Sequence, residues 1–175
     1  MKSEDIKRIV YCGLFLSLGL ILPSLTGNIK EIGDSLLPMH LPVMLCGIIC
    51  GPFYGLGIGL VLPFARSLLT GGMPPVFPNA VWMALELATY GLVIGILYAI
   101  GKRHSKLYTL FCLGCAMIAG RVVWGVSKAL LLIGRSTFTM KAFVLGGFVD
   151  ALLGIVLQLI LIPLIIDAYE RIKQK

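Results

Sequence analysis

The chain has 175 residues, of which 58% are hydrophobic and only 13% charged, with a mean hydropathy of +0.98. Soluble domains are about 45–50% apolar and about 25% charged, so a soluble enzyme, a disordered chain and a coiled coil are excluded. The net charge of +7 fits either nucleic acid or the Lys/Arg excess that membrane proteins keep on cytoplasmic loops, and position along the chain decides between them.

A helix crossing about 30 Å of hydrocarbon takes about 20 residues. Six such spans fit the chain as a single membrane domain over 1–175, at about 9–25, 39–51, 53–69, 78–100, 107–133 and 140–166. Basic residues precede the first apolar run, but no small-residue cleavage site follows, so it reads as a retained helix and not a signal peptide. Asn28 to Ser35 form the longest polar loop. The second span is short and ends at Gly51-Pro52, a turn signal. Pro63 interrupts the third. Gly71-Gly72-Met73-Pro74-Pro75 cannot be regular helix, because its two prolines lack the N–H and clash with the preceding turn. Pro78 suits the first turn of span four, and Lys102 to Lys106 form a polar loop before span five. Runs such as 152–166 are apolar but for Gln158, whereas membrane strands alternate. The expectation is an all-α integral membrane protein with six transmembrane helices.

An even span number puts both ends on one side. That side carries Lys2, Lys7, Arg8, Lys102, Arg103, Lys106, Arg171, Lys173 and Lys175, against Lys30, Arg135 and Lys141 on the other. The imbalance predicts cytoplasmic termini and a multi-pass protein of the cell membrane. It also accounts for the basic pI without nucleic acid.

Five cysteines, Cys12, Cys46, Cys50, Cys112 and Cys115, lie inside apolar stretches. Cys112 and Cys115 form a C-x-x-C with no second pair and no nearby His, so they read as small apolar helix residues and no metal site is expected. No nucleophile or metal motif appears. Gly95 to Lys102 imitates a phosphate loop but has one residue too many between its glycines, and Arg103 stands where Ser or Thr is needed. No enzyme activity, no cofactor and no ATP site of the chain's own are expected.

Ionisable residues inside spans cost roughly 2.5–3.5 kcal/mol each and are functional candidates by default. Here they are Arg66, Glu86, Arg121, Lys128 and Asp150. By the predicted topology Arg66, Glu86, Lys128 and Asp150 fall in the outer half of the membrane, with Arg121 nearer the middle. They imply an outward-opening polar cavity, or else helix-bridging pairs such as Glu86 with Arg66 and Asp150 with Lys128. Trp82, Glu86 and Tyr90 share a face of span four by i, i+4, i+8 spacing, with Asn79 one turn earlier; Trp124 and Lys128 share a face of span five. Aromatics beside charges suit a flat polar molecule. His40 reads either as a helix-start residue or as a ligand contact. Gly13 and Ser17, four apart on span one, allow close approach of another helix, from this chain or from a partner.

Met39-His40-Leu41-Pro42-Val43-Met44, the run Gly47-Ile48-Ile49-Cys50-Gly51-Pro52-Phe53-Tyr54-Gly55 and the small-xxx-small of span one together resemble the substrate-binding S components of energy-coupling factor (ECF) transporters, over nearly the whole chain. The resemblance implies a membrane-embedded subunit that captures a vitamin or related micronutrient from outside. It also implies partners: a transmembrane coupling subunit and two cytoplasmic ATPases. Gly13 and Ser17 stand where the family carries two alanines that meet the coupling subunit, and 71–78 would lid the pocket. The substrate-binding set expected is His40, Arg66, Asn79, Trp82, Glu86, Tyr90, Trp124, Lys128 and Asp150. A pantothenate-like anion is favoured, with pyridoxine or folate also open. The alternative is a small stand-alone secondary transporter of a polar metabolite, which would call for an ion-coupling carboxylate and inverted repeats; no repeat is evident.

Overall fold

The structure is a computed structural model that describes residues 3–25, 37–72, 74–101, 105–131, 145, 149 and 151–173. Among these, six α-helices occur and no strand: α1 (Ser3–Leu25), α2 (His40–Ile49), α3 (Pro52–Leu69), α4 (Val81–Ile100), α5 (Lys106–Leu131) and α6 (Leu152–Lys173). Five are long and apolar enough to cross a membrane, and α2 is the short one. At ten residues it rises only about 15 Å.

The chain reverses between α2 and α3 without a loop. Gly51 takes φ +114°, a left-handed conformation open to glycine and costly for side chains with a Cβ. Pro52 follows at the first helical position, where its missing N–H has no partner to lose. α2, α3 and α4 then pack backbone to backbone. A Cβ on Gly47 would lie 2.4 Å from the Gly91 carbonyl oxygen, one on Gly55 2.7 Å from Gly47 Cα, and one on Gly91 2.4 Å from Gly55 carbonyl carbon. In lipid, where tails are as apolar as leucine, such close packing is a main source of helix association. α4 sits in the middle of the bundle, against α2, α3 and α5.

α1 packs through Phe15, Gly19 and Pro23, which are buried at i, i+4, i+8. Its other flank is exposed, as are Leu152, Leu153, Ile160 and Leu164 on α6. Apolar side chains facing outward are what a hydrocarbon solvent requires.

Three boundaries differ from expectation, the first being α1, which begins at Ser3 and not at 9 because the polar turn before the apolar run is itself helical. Regular α4 begins at Val81, not at Pro78, because a wider turn covers Val76–Ala80 and Phe77 is extended at φ −122°, ψ 133°. A residue before proline is driven out of the helical region by the proline ring. α6 runs to Lys173, past the expected end at 166. Its polar end is tied by Arg171 to Asp167 at 3.1 Å one turn away and by the Tyr98 hydroxyl donating to Glu170 at 2.6 Å. Most of the expected start of that span, from 140, lies outside the described residues.

Candidate functional site

The glycine contacts bring α2 close enough to α4 for His40, the first residue of α2, to lie against Tyr90. The two rings stand 5.0 Å apart at 63°. Beside them Glu86, only 3% exposed, gathers its contacts on one oxygen, Oε1. Arg121 Nη1 on α5 donates to it at 2.8 Å, and the Tyr90 hydroxyl donates at 3.1 Å. His40 Nε2 stands 3.5 Å away, an ion-pair separation if the ring is protonated but too long for a good hydrogen bond. Both His40 ring nitrogens and Arg121 Nη2 are buried without a hydrogen-bond partner.

One turn along α5 from Arg121, the indole of Trp124 receives two cations. The Arg121 guanidinium lies 6.0 Å from its ring centre and the Lys128 ammonium 4.6 Å. Lys128 also lies 5.5 Å from the ring of Trp82 on α4. A cation over an indole gains about 0.5–2 kcal/mol, more as it is desolvated, and Lys128 is partly buried between the two rings. These groups stack in order along the bundle. Glu86, Arg121, Tyr90 and His40 form a buried charged layer, the two indoles lie next, and Lys128 is outermost, three residues from the end of α5. Chemically the layer can fix charge and orient a flat group. Its hydroxyl, on Tyr90, is taken up in supporting the Glu86–Arg121 pair.

The structure thus brings together His40, Trp82, Glu86, Tyr90, Trp124 and Lys128. Tyr90 is more than an apolar wall, since it hydrogen-bonds Glu86. Asn79 sits in the turn before α4. Arg66 is not part of this cluster: it lines a separate cleft between α1 and α3 with Leu20, Ile21, Ser24, Leu69 and Thr70. Asp150 lies outside the described residues. The bridge expected between Glu86 and Arg66 does not form, since the partner of Glu86 is Arg121; the one expected between Asp150 and Lys128 falls on a residue outside those described. Arg121, expected nearer the middle of the membrane than Glu86, bonds Glu86 directly. The available signal was its spacing, since 121, 124 and 128 form one i, i+3, i+7 stripe. Gln158 is buried at 2% exposure and donates to the Leu37 carbonyl at 3.4 Å. Gly13 and Ser17 are both exposed; nothing lies within 4 Å of a Cβ built on Gly13, and Ser17 Oγ donates back to the Gly13 carbonyl at 2.9 Å.

Five membrane-length apolar helices around a buried ionic layer define a multi-pass α-helical membrane protein with a polar site inside the bundle. Its family is specific: the model for the ECF transporter substrate-specific component matches residues 7–166, and the chain belongs to that family. It is therefore a substrate-specific membrane subunit of an ECF importer, a transporter component by family and not an enzyme. No curated protein and no solved structure matches the chain.

Proposed function

We propose that this subunit captures a small water-soluble molecule of the vitamin class, bearing an anionic group and a flat ring, at the end of the bundle where α2 and α4 begin and α5 finishes. That end faces outward and both termini are cytoplasmic. The observation that carries this reading is the placement of Lys128 over Trp82 and Trp124, directly beyond the neutralised Glu86–Arg121 pair. A ligand carboxylate meets the ammonium, its ring lies against the indoles, and the unpartnered nitrogens of His40 and Arg121 supply further donors or acceptors. A pantothenate-like anion fits this chemistry best. Asp150 stays a candidate contact from α6, and Arg66 a candidate of the neighbouring cleft.

Delivery proceeds through a transmembrane coupling subunit and two cytoplasmic ATPases. The exposed Gly13–Ser17 flank of α1 supports the docking face, because a helix can approach there without meeting side chains of this chain.

Mass spectrometry of the molecule extracted from purified protein identifies the ligand, and titration calorimetry then tests the site. Lys128→Met, with helix content retained, is expected to weaken binding roughly thirtyfold or more, since truncating one partner of a buried charged contact costs about 2–5 kcal/mol. Unchanged affinity in the folded variant overturns the assignment.

A further inference from the structure

Three cysteines that the site does not use converge at the opposite end of α2 from His40. Cys46 and Cys50 are one turn apart, and Cys12 reaches them from α1. The three sulfurs lie within 4.8 Å of one another, with Cys12 and Cys46 at 3.8 Å. Cys46 and Cys50 are buried, Cys12 is half-exposed, and all three are free thiols.

Four ligands around a zinc-type ion at about 2.3 Å place sulfurs about 3.8 Å apart. The Cys12–Cys46 separation already has that value, and no pair of the three exceeds 4.8 Å. The donor set is sulfur alone, which selects soft cations over magnesium or calcium. The charge balance favours a divalent ion. Three thiolates around a monovalent ion leave −2 in a membrane interior, whereas a divalent ion leaves −1. Arg8 stands one turn before Cys12 on α1 and offsets the residual charge. Cys12 is only half-buried, which leaves room for a fourth ligand, and the polar residues Lys7 and Arg8 about one turn away mark the interface from which water supplies it.

We propose that Cys12, Cys46 and Cys50 form a binding site for a soft divalent d10 cation of the zinc class. Binding is coordination without redox change: three S–H protons leave to solvent, three sulfur–metal bonds form, and a water completes the tetrahedron. The bound ion cross-links α1 to α2 next to Gly13, one residue along α1 from Cys12.

The test uses the full chain in detergent, reduced and stripped with a chelator. Cd2+ serves as the spectroscopic probe, because sulfur-to-cadmium charge-transfer absorption scales with the number of thiolates bound. Zn2+ is titrated in competition with a chromophoric chelator. One equivalent bound by three thiolates is expected, with Cys12→Ser, Cys46→Ala and Cys50→Ser each weakening Zn2+ at least tenfold. The Cys112→Ala/Cys115→Ala pair is expected to bind as the parent does. A second measurement needs no variant: Zn2+ is expected to slow alkylation of Cys12, followed by peptide mass spectrometry. The proposal is overturned if Zn2+ fails to protect Cys12, if binding follows Cys112 and Cys115, or if anaerobically purified chain carries a Cys12–Cys46 disulfide.

Discussion

Removing Arg121 exposes how the charged layer is balanced. Arg121 and Glu86 side chains are 5% and 4% exposed and meet at 2.8 Å, so Arg121→Met strands a carboxylate in a dry site. Tyr90 still donates to Oε1 at 3.1 Å, but a neutral hydroxyl cannot replace the guanidinium. Breaking one side of a buried pair costs about 3–5 kcal/mol. For a chain of this size about 2–4 °C of Tm accompanies each kcal/mol, so the variant is expected to melt about 6–20 °C lower in detergent. The paired change Glu86→Gln/Arg121→Met is expected to recover much of that loss, because the neutral pair leaves no charge stranded in the dry site. A thermal-shift series on parent, both single variants and the double variant gives the coupling directly. If Arg121→Met melts with the parent, or the double variant loses the sum of the singles, the two charges do not stabilise one another and the layer has been misread.

Gly91→Ala drives a methyl to 2.4 Å from the Gly55 carbonyl carbon, a clash with backbone that no rotamer relieves; overpacking costs about 1–3 kcal/mol or more, and a lower Tm with poor yield in membranes is expected, parent-like melting being the contrary result. In a background lacking the native cysteines, Gly71→Cys is expected to react with an impermeant maleimide on intact cells while Ser105→Cys stays unmodified, and the reverse pattern refutes the orientation. Ser17→Leu is expected to abolish uptake while ligand binding by the isolated subunit persists; lost binding would place Ser17 in internal packing instead.

The helices were legible because apolar runs bounded by Gly and Pro leave few alternatives, and Gly51-Pro52 marked the tight reversal that the structure contains. Faces within one helix were legible too: Glu86 and Tyr90 meet, and Trp124 and Lys128 meet, as their spacing requires. Relations between helices were not. The pairing of Glu86 with Arg121 in preference to Arg66 depends on which helices neighbour α4 and at what height, and that is set by where glycines let backbones touch. His40 shows the same limit. Its place at a helix start is readable, whereas its burial against Tyr90 follows from the α2–α4 approach. Cys46 and Cys50 announce a common face by their spacing, but only the lateral position of α1 adds Cys12.

The glycine contacts also divide the molecule mechanically. Where main chains of α2, α3 and α4 touch, no rotamer can absorb a sliding motion, so these three helices move as one block. α5 is held to that block by side chains, among them the Tyr90 ring lying over Gly120, and side chains can re-seat. His40, Trp82, Glu86 and Tyr90 ride on the block; Arg121, Trp124 and Lys128 ride on α5. The cluster therefore straddles the boundary between stiff and compliant parts, and a tilt of α5 would be felt first at the Arg121–Glu86 bond, which alone among the described residues joins the two sides by opposite charges within the cluster.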